Sequence, residues 1–377
     1  MKRNLSFAAF VLLAMAMTFS LASCGGDDEE ELVKAITGAA GTADNPQTPN
    51  DPEGTITVNI RNKNNGGTEV SLGGGSLKID EADNFTCSSS SGKFVSLGKV
   101  NGLAAIKSIP ASGWSEKVAV VPGYGYVMKI GLLYARLYVV DYMESTSGGI
   151  IGAIVKYQSP WDPYGSSGPD VSATGTENGH SWVDLGLPSG TKWATCNVGA
   201  DSPEKYGSYF AWGETVPKSD YSWSTYKHCK GSYETMTKYC NKSNYGYNGF
   251  TDTKTTLDLT DDAARANWQG DWRMPTQADF NELINNTVCI WTDNYKGTGV
   301  KGCYFTSTNG KALFLPAAGN RDGTSLGYAG SYGYYWSSTL LASRPYYAYY
   351  LFFGSDGVYV YGYYRYFGHT VRPVRRP

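Results

Sequence analysis

Histidine is scarce, with three in 377 residues. His180, His228 and His369 lie too far apart in sequence for a zinc-ligand spacing. Serine is abundant, yet no Gly-x-Ser-x-Gly elbow accompanies it, so a hydrolase nucleophile has no frame. Charge is also low: 32 basic and 34 acidic residues make 18% of the chain and leave a net charge of −2. No basic stripe forms, and the Arg372, Arg375, Arg376 cluster is too small to supply one, which argues against nucleic acid. A narrower absence lies near the C-terminus. From Leu340 to His369 there is no Lys, Glu, Gln, Met or Trp, although strands facing solvent ordinarily carry Lys and Glu to guard their edges.

What fills that stretch is tyrosine. Thirteen of the thirty tyrosines fall between Leu326 and His369. Residues 346–353 read Tyr-Tyr-Ala-Tyr-Tyr-Leu-Phe-Phe, then comes Gly354-Ser355-Asp356-Gly357, then a second aromatic run to Phe367. The Asp-Gly pair marks a hairpin turn between two strands. Tyrosine gives large, rigid, amphipathic contact area at low entropy cost, and binding loops favour Tyr, Ser and Gly for that reason. The candidate ligand-binding residues are therefore Tyr346, Tyr347, Tyr349, Ser355, Asp356, Tyr359, Tyr361, Tyr363, Tyr364 and Tyr366. The competing reading is an ordinary sheet, since aromatic residues favour strands and stack across antiparallel pairs.

At the other end, Lys2 and Arg3 precede an apolar run from Phe7 to Leu21, short for a membrane span but suited to a secretory signal. It closes on Leu21-Ala22-Ser23-Cys24, which resembles a bacterial lipobox and implies lipid on Cys24. The following Gly25-Gly26-Asp27-Asp28-Glu29-Glu30-Glu31 resembles the acidic signal that carries lipoproteins of Bacteroidota to the outer face of the outer membrane. The expected localisation is the outer membrane, lipid-anchored and facing the cell exterior. Six cysteines then remain in a chain crossing an oxidising compartment, where disulfides form. Cys229 with Cys240, flanking a short loop, is the favoured bridge, and Cys196 with Cys289 the second choice. Cys87 and Cys303 are expected to stay reduced.

Composition divides the chain into a signal (1–23), an acidic tether and linker (24–53), a β domain (54–157), a second linker (158–178) and a C-terminal domain (179–377). The β domain carries short alternating strands at 55–60, 76–79, 117–121, 134–140 and 150–157, joined by Gly, Asn and Pro turns, which indicates a small sandwich. It looks similar to N-terminal domains of unknown function on Bacteroides surface lipoproteins, a likeness that implies no activity. Two helices are legible in the last domain. One spans Asp261 to Asn267, with Asp258, Asp261 and Asp262 as a solvated N-terminus opposing the dipole. The other follows Thr276 as N-cap, with Asp279 at the capping-box position.

Several blocks of this domain occur in a family order: Tyr209-Phe210-Ala211-Trp212-Gly213-Glu214-Thr215, Trp272-Arg273-Met274-Pro275-Thr276, Leu315-Pro316-Ala317-Ala318-Gly319, Tyr335-Trp336-Ser337-Ser338-Thr339 and Val371-Arg372-Pro373-Val374. Together they resemble the Fibrobacter succinogenes major paralogous domain, related to formylglycine-generating enzymes within the C-type-lectin-like fold. The resemblance implies an α+β domain in which two helices flank a twisted sheet, so that the whole chain is an anchor, an all-β sandwich-like domain and a C-type-lectin-like domain. Trp272 and Trp336 are then core supports. The enzymes of that group need late cysteines, and none follows Cys303. The related lectins hold calcium with Glu-Pro-Asn or Gln-Pro-Asp and Trp-Asn-Asp tripeptides, which are missing. No catalysis, cofactor or metal is expected.

The five residue types missing from the tyrosine stretch are those that adenine randomisation of AAC or AAT codons cannot produce. The stretch therefore resembles the variable part of a diversity-generating retroelement target. The leading expectation is a lipid-anchored surface protein whose aromatic hairpin binds a macromolecular ligand, protein or glycan. The alternative is a structural or glycan-associated surface protein with an invariant aromatic face.

Overall fold

The computed structural model describes residues 51–72 and 74–376. The lipobox, Cys24 and the acidic run lie outside the described residues. Strands dominate, at 40% against 11% helix, and are spread over several sheets.

The N-terminal half contains β1 (Ile56–Arg61), β2 (Val70–Ser71), β3 (Ser76–Ile79), β4 (Asn84–Cys87), β5 (Lys93–Lys99), β6 (Val118–Ala119), β7 (Tyr124–Ile130), β8 (Leu133–Glu144) and β9 (Ile150–Gln158). They form a five-stranded antiparallel sheet, β1-β9-β8-β7-β5, and a four-stranded one, β2-β3-β4-β6. Because successive side chains alternate between faces, Ile60, Tyr126, Met128, Leu137, Val139 and Val155 of the first meet Leu77, Ile79 and Phe85 of the second. The result is a two-layer sandwich.

Residues 158–178 were marked as a linker by their breakers, but they are packed. Trp161 is 5% exposed among Leu103, Ile106, Val127, Tyr134 and Ile290, and its N–H donates to the Tyr134 carbonyl at 2.7 Å. Further on, Asp170 accepts Lys311 at 2.6 Å. One large ring in a polar segment is enough to hold it against both halves.

The C-terminal half continues with β10 (Gly175–Glu177), β11 (His180–Val183), β12 (Lys192–Ala194), β13 (Tyr209–Phe210), α1 (Ala263–Trp268), α2 (Gln277–Asn286), β14 (Thr287–Thr292), β15 (Gly302–Ser307), β16 (Ala312–Pro316), β17 (Asn320–Asp322), β18 (Ser325–Gly327), β19 (Gly333–Leu340), β20 (Tyr347–Gly354), β21 (Gly357–Tyr364), β22 (His369–Thr370) and β23 (Val374–Arg375). The sheets are β10-β11-β12-β23, β13-β22-β19-β20-β21, β14-β15-β16 and β17-β18. Helix α2 starts on the Thr276 capping box, with both reciprocal bonds to Asp279 formed. Its Phe280 and Leu283 pack on Trp193, Phe305, Tyr335, Leu351 and Phe353. Leu132, from the turn between β7 and β8, joins the same core, so the apolar interior is continuous between the halves. Trp212, Trp272 and Trp336 are fully buried in a second core with Met274 and Tyr350.

Two expectations need correction. Asp261 and Asp262 are not solvated. Asp262 caps α1 by accepting the Arg265 N–H at 2.9 Å, and also accepts the Met274 N–H. Asp261 is 4% exposed and receives Lys238, Lys227 and the Tyr239 hydroxyl, so burial pushes its carboxyl up and these partners more than reverse that, holding it at about 2. The bridges Cys229–Cys240 and Cys196–Cys289 are also not formed, since all six described cysteines are free thiols. Cys229 turns its sulfur to the Trp223 carbonyl and Cys240 to that of Lys242, and two thiols committed to separate carbonyls are not aimed at one another. His369 is a further buried polar group. It is fully buried with both ring nitrogens unpartnered.

Candidate functional site

The hairpin of β20 and β21 closes on Gly354 opposite Gly357 and runs eight residue pairs without a bulge. A period of two then sorts its residues onto two faces. Leu351, Phe353, Val358 and Val360 point at the core beneath α2. Ala348, Tyr350, Phe352, Tyr359, Tyr361 and Tyr363 point the other way, beside Tyr334 and Trp336 of β19.

That second face is aromatic from its base to its surface. At the base, His369 stacks on Trp336 at 4.0 Å and lies within 6 Å of Tyr334, Tyr350 and Tyr363. Burial drives its imidazole well below the usual histidine range. Burial likewise raises the Tyr334 and Tyr350 hydroxyls, so this base is neutral. Above it, rings continue from Tyr328 to Tyr332 at 5.7 Å, to Phe352 at 5.3 Å, to Tyr361 at 6.3 Å and to Tyr359 at 5.3 Å. Tyr328 is 61% exposed, Tyr361 48%, Tyr359 41% and the neighbouring Leu326 42%. β19, β20 and β21 carry no Asp, Glu, Lys or Arg, and the charged side chain that acts on Tyr363 is Asp322. A contiguous, uncharged aromatic surface on a rigid sheet suits a ligand recognised by contact area rather than by ion pairing.

The residues read from sequence divide among four places. Tyr359, Tyr361 and Tyr363 stand on the open face. Tyr346, Tyr347, Tyr364 and Tyr366 form another cluster with Trp223, Tyr233 and Tyr245, with Tyr346 4.9 Å from Tyr245 and Tyr366 4.8 Å from Trp223. Tyr349 sits opposite Gly362 on the helix side, half-buried. Ser355 and Asp356 belong elsewhere: the Ser355 carbonyl accepts the Leu132 N–H at 3.0 Å, so the hairpin tip docks on the sandwich. Gly131 makes this possible. Its φ is +61°, and a Cβ there would come within 2.6 Å of the Asp356 carbonyl oxygen.

Tyr328, Tyr332 and Phe352 were missed as members of the face. The rise in tyrosine density at Leu326 was the available signal for the first two. Nothing local announced Trp223, Tyr233 and Tyr245, which reach the hairpin through a loop pinned by Arg365. That arginine is fully buried. It donates to Tyr226 Oη at 2.9 Å and to the carbonyls of Pro345, Tyr239 and Lys238 at 2.8, 3.1 and 3.1 Å, while Trp212 lies 4.8 Å away against its guanidinium.

An open cleft of about 540 Å³ lies nearby, lined in part by Tyr209, Lys218, Tyr221 and Arg321. Its cations are already engaged: Lys218 pairs with Glu214 at 2.9 Å and Arg321 stacks on Tyr209 at 5.3 Å. Among the described residues, no three His, Cys, Asp or Glu side chains gather as metal ligands would.

Residues 57–202 match the family model of a domain of unknown function, DUF5036, and residues 298–374 that of another, DUF8237. The first takes in the sandwich and runs on through β12. The second takes in β15 to β23, and therefore the whole aromatic hairpin. No curated protein and no solved structure matches the chain.

Proposed function

We propose that this protein is a surface lipoprotein that binds a macromolecular ligand, without catalysis, through the aromatic face of its C-terminal half. The observation that carries the reading is the uncharged run of rings from Tyr328 and Tyr332, in the loop before β19, through Phe352 to Tyr361 and Tyr359 on the sheet, open to solvent at Tyr328, Tyr359 and Tyr361. In this reading the C-terminal half is a C-type-lectin-like domain related to the Fibrobacter succinogenes major paralogous domain. Support comes from its two helices and from an early strand, β12, meeting the last, β23, with Trp193 opposite Val374. The lipobox-like Leu21-Ala22-Ser23-Cys24 would tether it to the outer membrane with the binding face outward. Among the described residues no helix is long and apolar enough to cross a membrane.

The face is tested by replacing Tyr328, Tyr359 and Tyr361 together with Ser and probing arrays of surface proteins and of glycans. The wild type should retain a defined set that the variant loses at an unchanged melting temperature, because truncating aromatic anchors commonly costs about 2 kcal/mol or more each. Retention of the same set by both would remove the reading. The anchor is tested by detergent partitioning of Cys24→Ala, which should shift to the aqueous phase. Retroelement diversification requires a nearby template repeat with AAC or AAT at the aromatic codons, and its absence from the flanking DNA would discard that part.

A further inference from the structure

The aromatic face occupies one side of the sheet, but the sheet also ends in an open edge. β21 is the terminal strand in β13-β22-β19-β20-β21. Its hairpin turn has two residues, so the closing pair Gly354 and Gly357 exchanges both hydrogen bonds, and every second residue from Gly357 bonds inward to β20. Val358, Val360 and Gly362 must then direct their N–H and C=O groups outward. Among the described residues, none of these groups has a hydrogen-bond partner.

The other edge strands of five or more residues are covered. Along β1, the Arg61 N–H donates to Thr68 Oγ1 at 2.8 Å. On β5, Phe94 and Ser115 exchange backbone bonds at 2.7 and 2.9 Å, a bulge falls between Ser96 and Gly98, and lysines stand at both ends. Trp291 of β14 donates to the Leu132 carbonyl, and Ala312 of β16 to that of Asp170. β21 has no such cover, no bulge, no proline and no charged residue. An unguarded regular edge is a template for another strand.

We propose that a second copy of this chain occupies that edge, its β21 running antiparallel to the first across a twofold axis. Charge favours a second copy as the occupant. A twofold contact sets a strand against itself, and Gly-Val-Tyr-Val-Tyr-Gly-Tyr-Tyr carries no charge that would be left unpaired at the seam or brought near its own copy. With the axis beside Val360, Val360 faces its own copy and Val358 faces the second copy's Gly362, which gives about six hydrogen bonds between the copies. In this register Tyr359 stands opposite the second copy's Tyr361 in the closer, non-hydrogen-bonded type of pair. The stack of Tyr359 on Tyr361, 5.3 Å apart and 11° from parallel, then continues across the seam. Two aromatic faces become one. The pairing uses the edge rather than the face, so it stands or falls apart from the ligand reading.

Sedimentation equilibrium of the full chain in density-matched detergent should give a dimer at tens of micromolar, and a monomer at that concentration would overturn the proposal. Val360→Pro removes an outward N–H, a change edge strands tolerate, together with part of the Val360 packing beneath α2, and should yield a folded monomer. A Val360→Pro protein that remains dimeric would place the contact elsewhere and overturn it. Should Val360→Pro fail to fold, Tyr361→Cys decides: position 361 is exposed and lies diagonally across the seam from its own copy, so a short bismaleimide should link two copies there, while Asn59→Cys on β1 should not link. A Tyr361→Cys dimer that resists linking would also overturn the proposal.

Discussion

Arg365 lies inside the aromatic stretch, yet the structure makes it the pin of the C-terminal half. Replacing it with Met keeps most of the apolar stem and removes every donor. The carbonyls of Lys238, Tyr239 and Pro345 then lose their guanidinium partner, and a buried acceptor left unsatisfied costs about 1–3 kcal/mol. The contacts with Trp212 at 4.8 Å and Tyr226 at 5.3 Å go as well, at about 1–2 kcal/mol in a site closed to water. Against these losses stands the desolvation of the guanidinium, which the variant no longer bears. Three buried carbonyls left without a donor outweigh that relief, and Arg365→Met should lose about 3–5 kcal/mol. Arg321→Met, whose guanidinium stacks on Tyr209 at the cleft, is the control and should cost no more than about 1 kcal/mol. Urea unfolding measures both, and limited proteolysis should show new cleavage between His228 and Phe250 in Arg365→Met. A loss below about 1 kcal/mol with no new cleavage would refute the view that Arg365 holds the loop to the hairpin.

Tyr350→Ser should cost about 3–5 kcal/mol, because the ring is 5% exposed and lies 5.8 Å from Tyr334 in parallel stacking. Tyr359→Ser and Tyr361→Ser should each stay within about 0.5 kcal/mol, and the reverse order in urea melts would mean the two faces are misassigned. Gly131→Ala should destabilise by about 2–4 kcal/mol, since the alanine meets the Asp356 carbonyl and must hold a positive φ; a neutral melt would show that the hairpin tip is not docked on the sandwich. His228 is held at about 4 by burial, against 6.5 when unfolded, and burial drives His369 well below the usual histidine range too. The unfolded chain then binds more protons below pH 6.5, so stability falls as pH drops from about 6.5 toward 4. His228 alone contributes up to about 3 kcal/mol to that loss. His369→Phe should flatten the slope between those pH values, and an unchanged slope would count against a neutral, unpartnered His369.

Much of the architecture was legible because it is written locally. Alternation over two to eight residues needs no tertiary information, and the strands of the sandwich at 76–79, 134–140 and 150–157 sit where β3, β8 and β9 form. Thr276 and Asp279 announce α2 for the same reason, since a capping box is closed by side chains three residues apart. β4, β5 and β7 went unread, their short or interrupted patterns becoming strands only through neighbours distant in sequence. Asp261 shows the same limit. Its carboxylate looked like a solvated helix end until Lys227, Lys238 and Tyr239 folded over it.

By itself, the sequence determined that the C-terminal strands would be aromatic, uncharged and joined by a hairpin turn near Asp356-Gly357, because those properties belong to residues adjacent in the chain; the fold made Ser355 and Asp356 the turn and Gly357 the first residue of β21. Which tyrosines face solvent was decided only by the fold. Register sends Leu351 and Val360 beneath α2 and Tyr359 and Tyr361 outward. The Leu132 N–H takes the turn out of the face, and Arg365, buried among carbonyls, brings a loop more than a hundred residues upstream against the hairpin. A side chain's exposure is set by what packs over it, and here the covering groups come from elements far away in sequence.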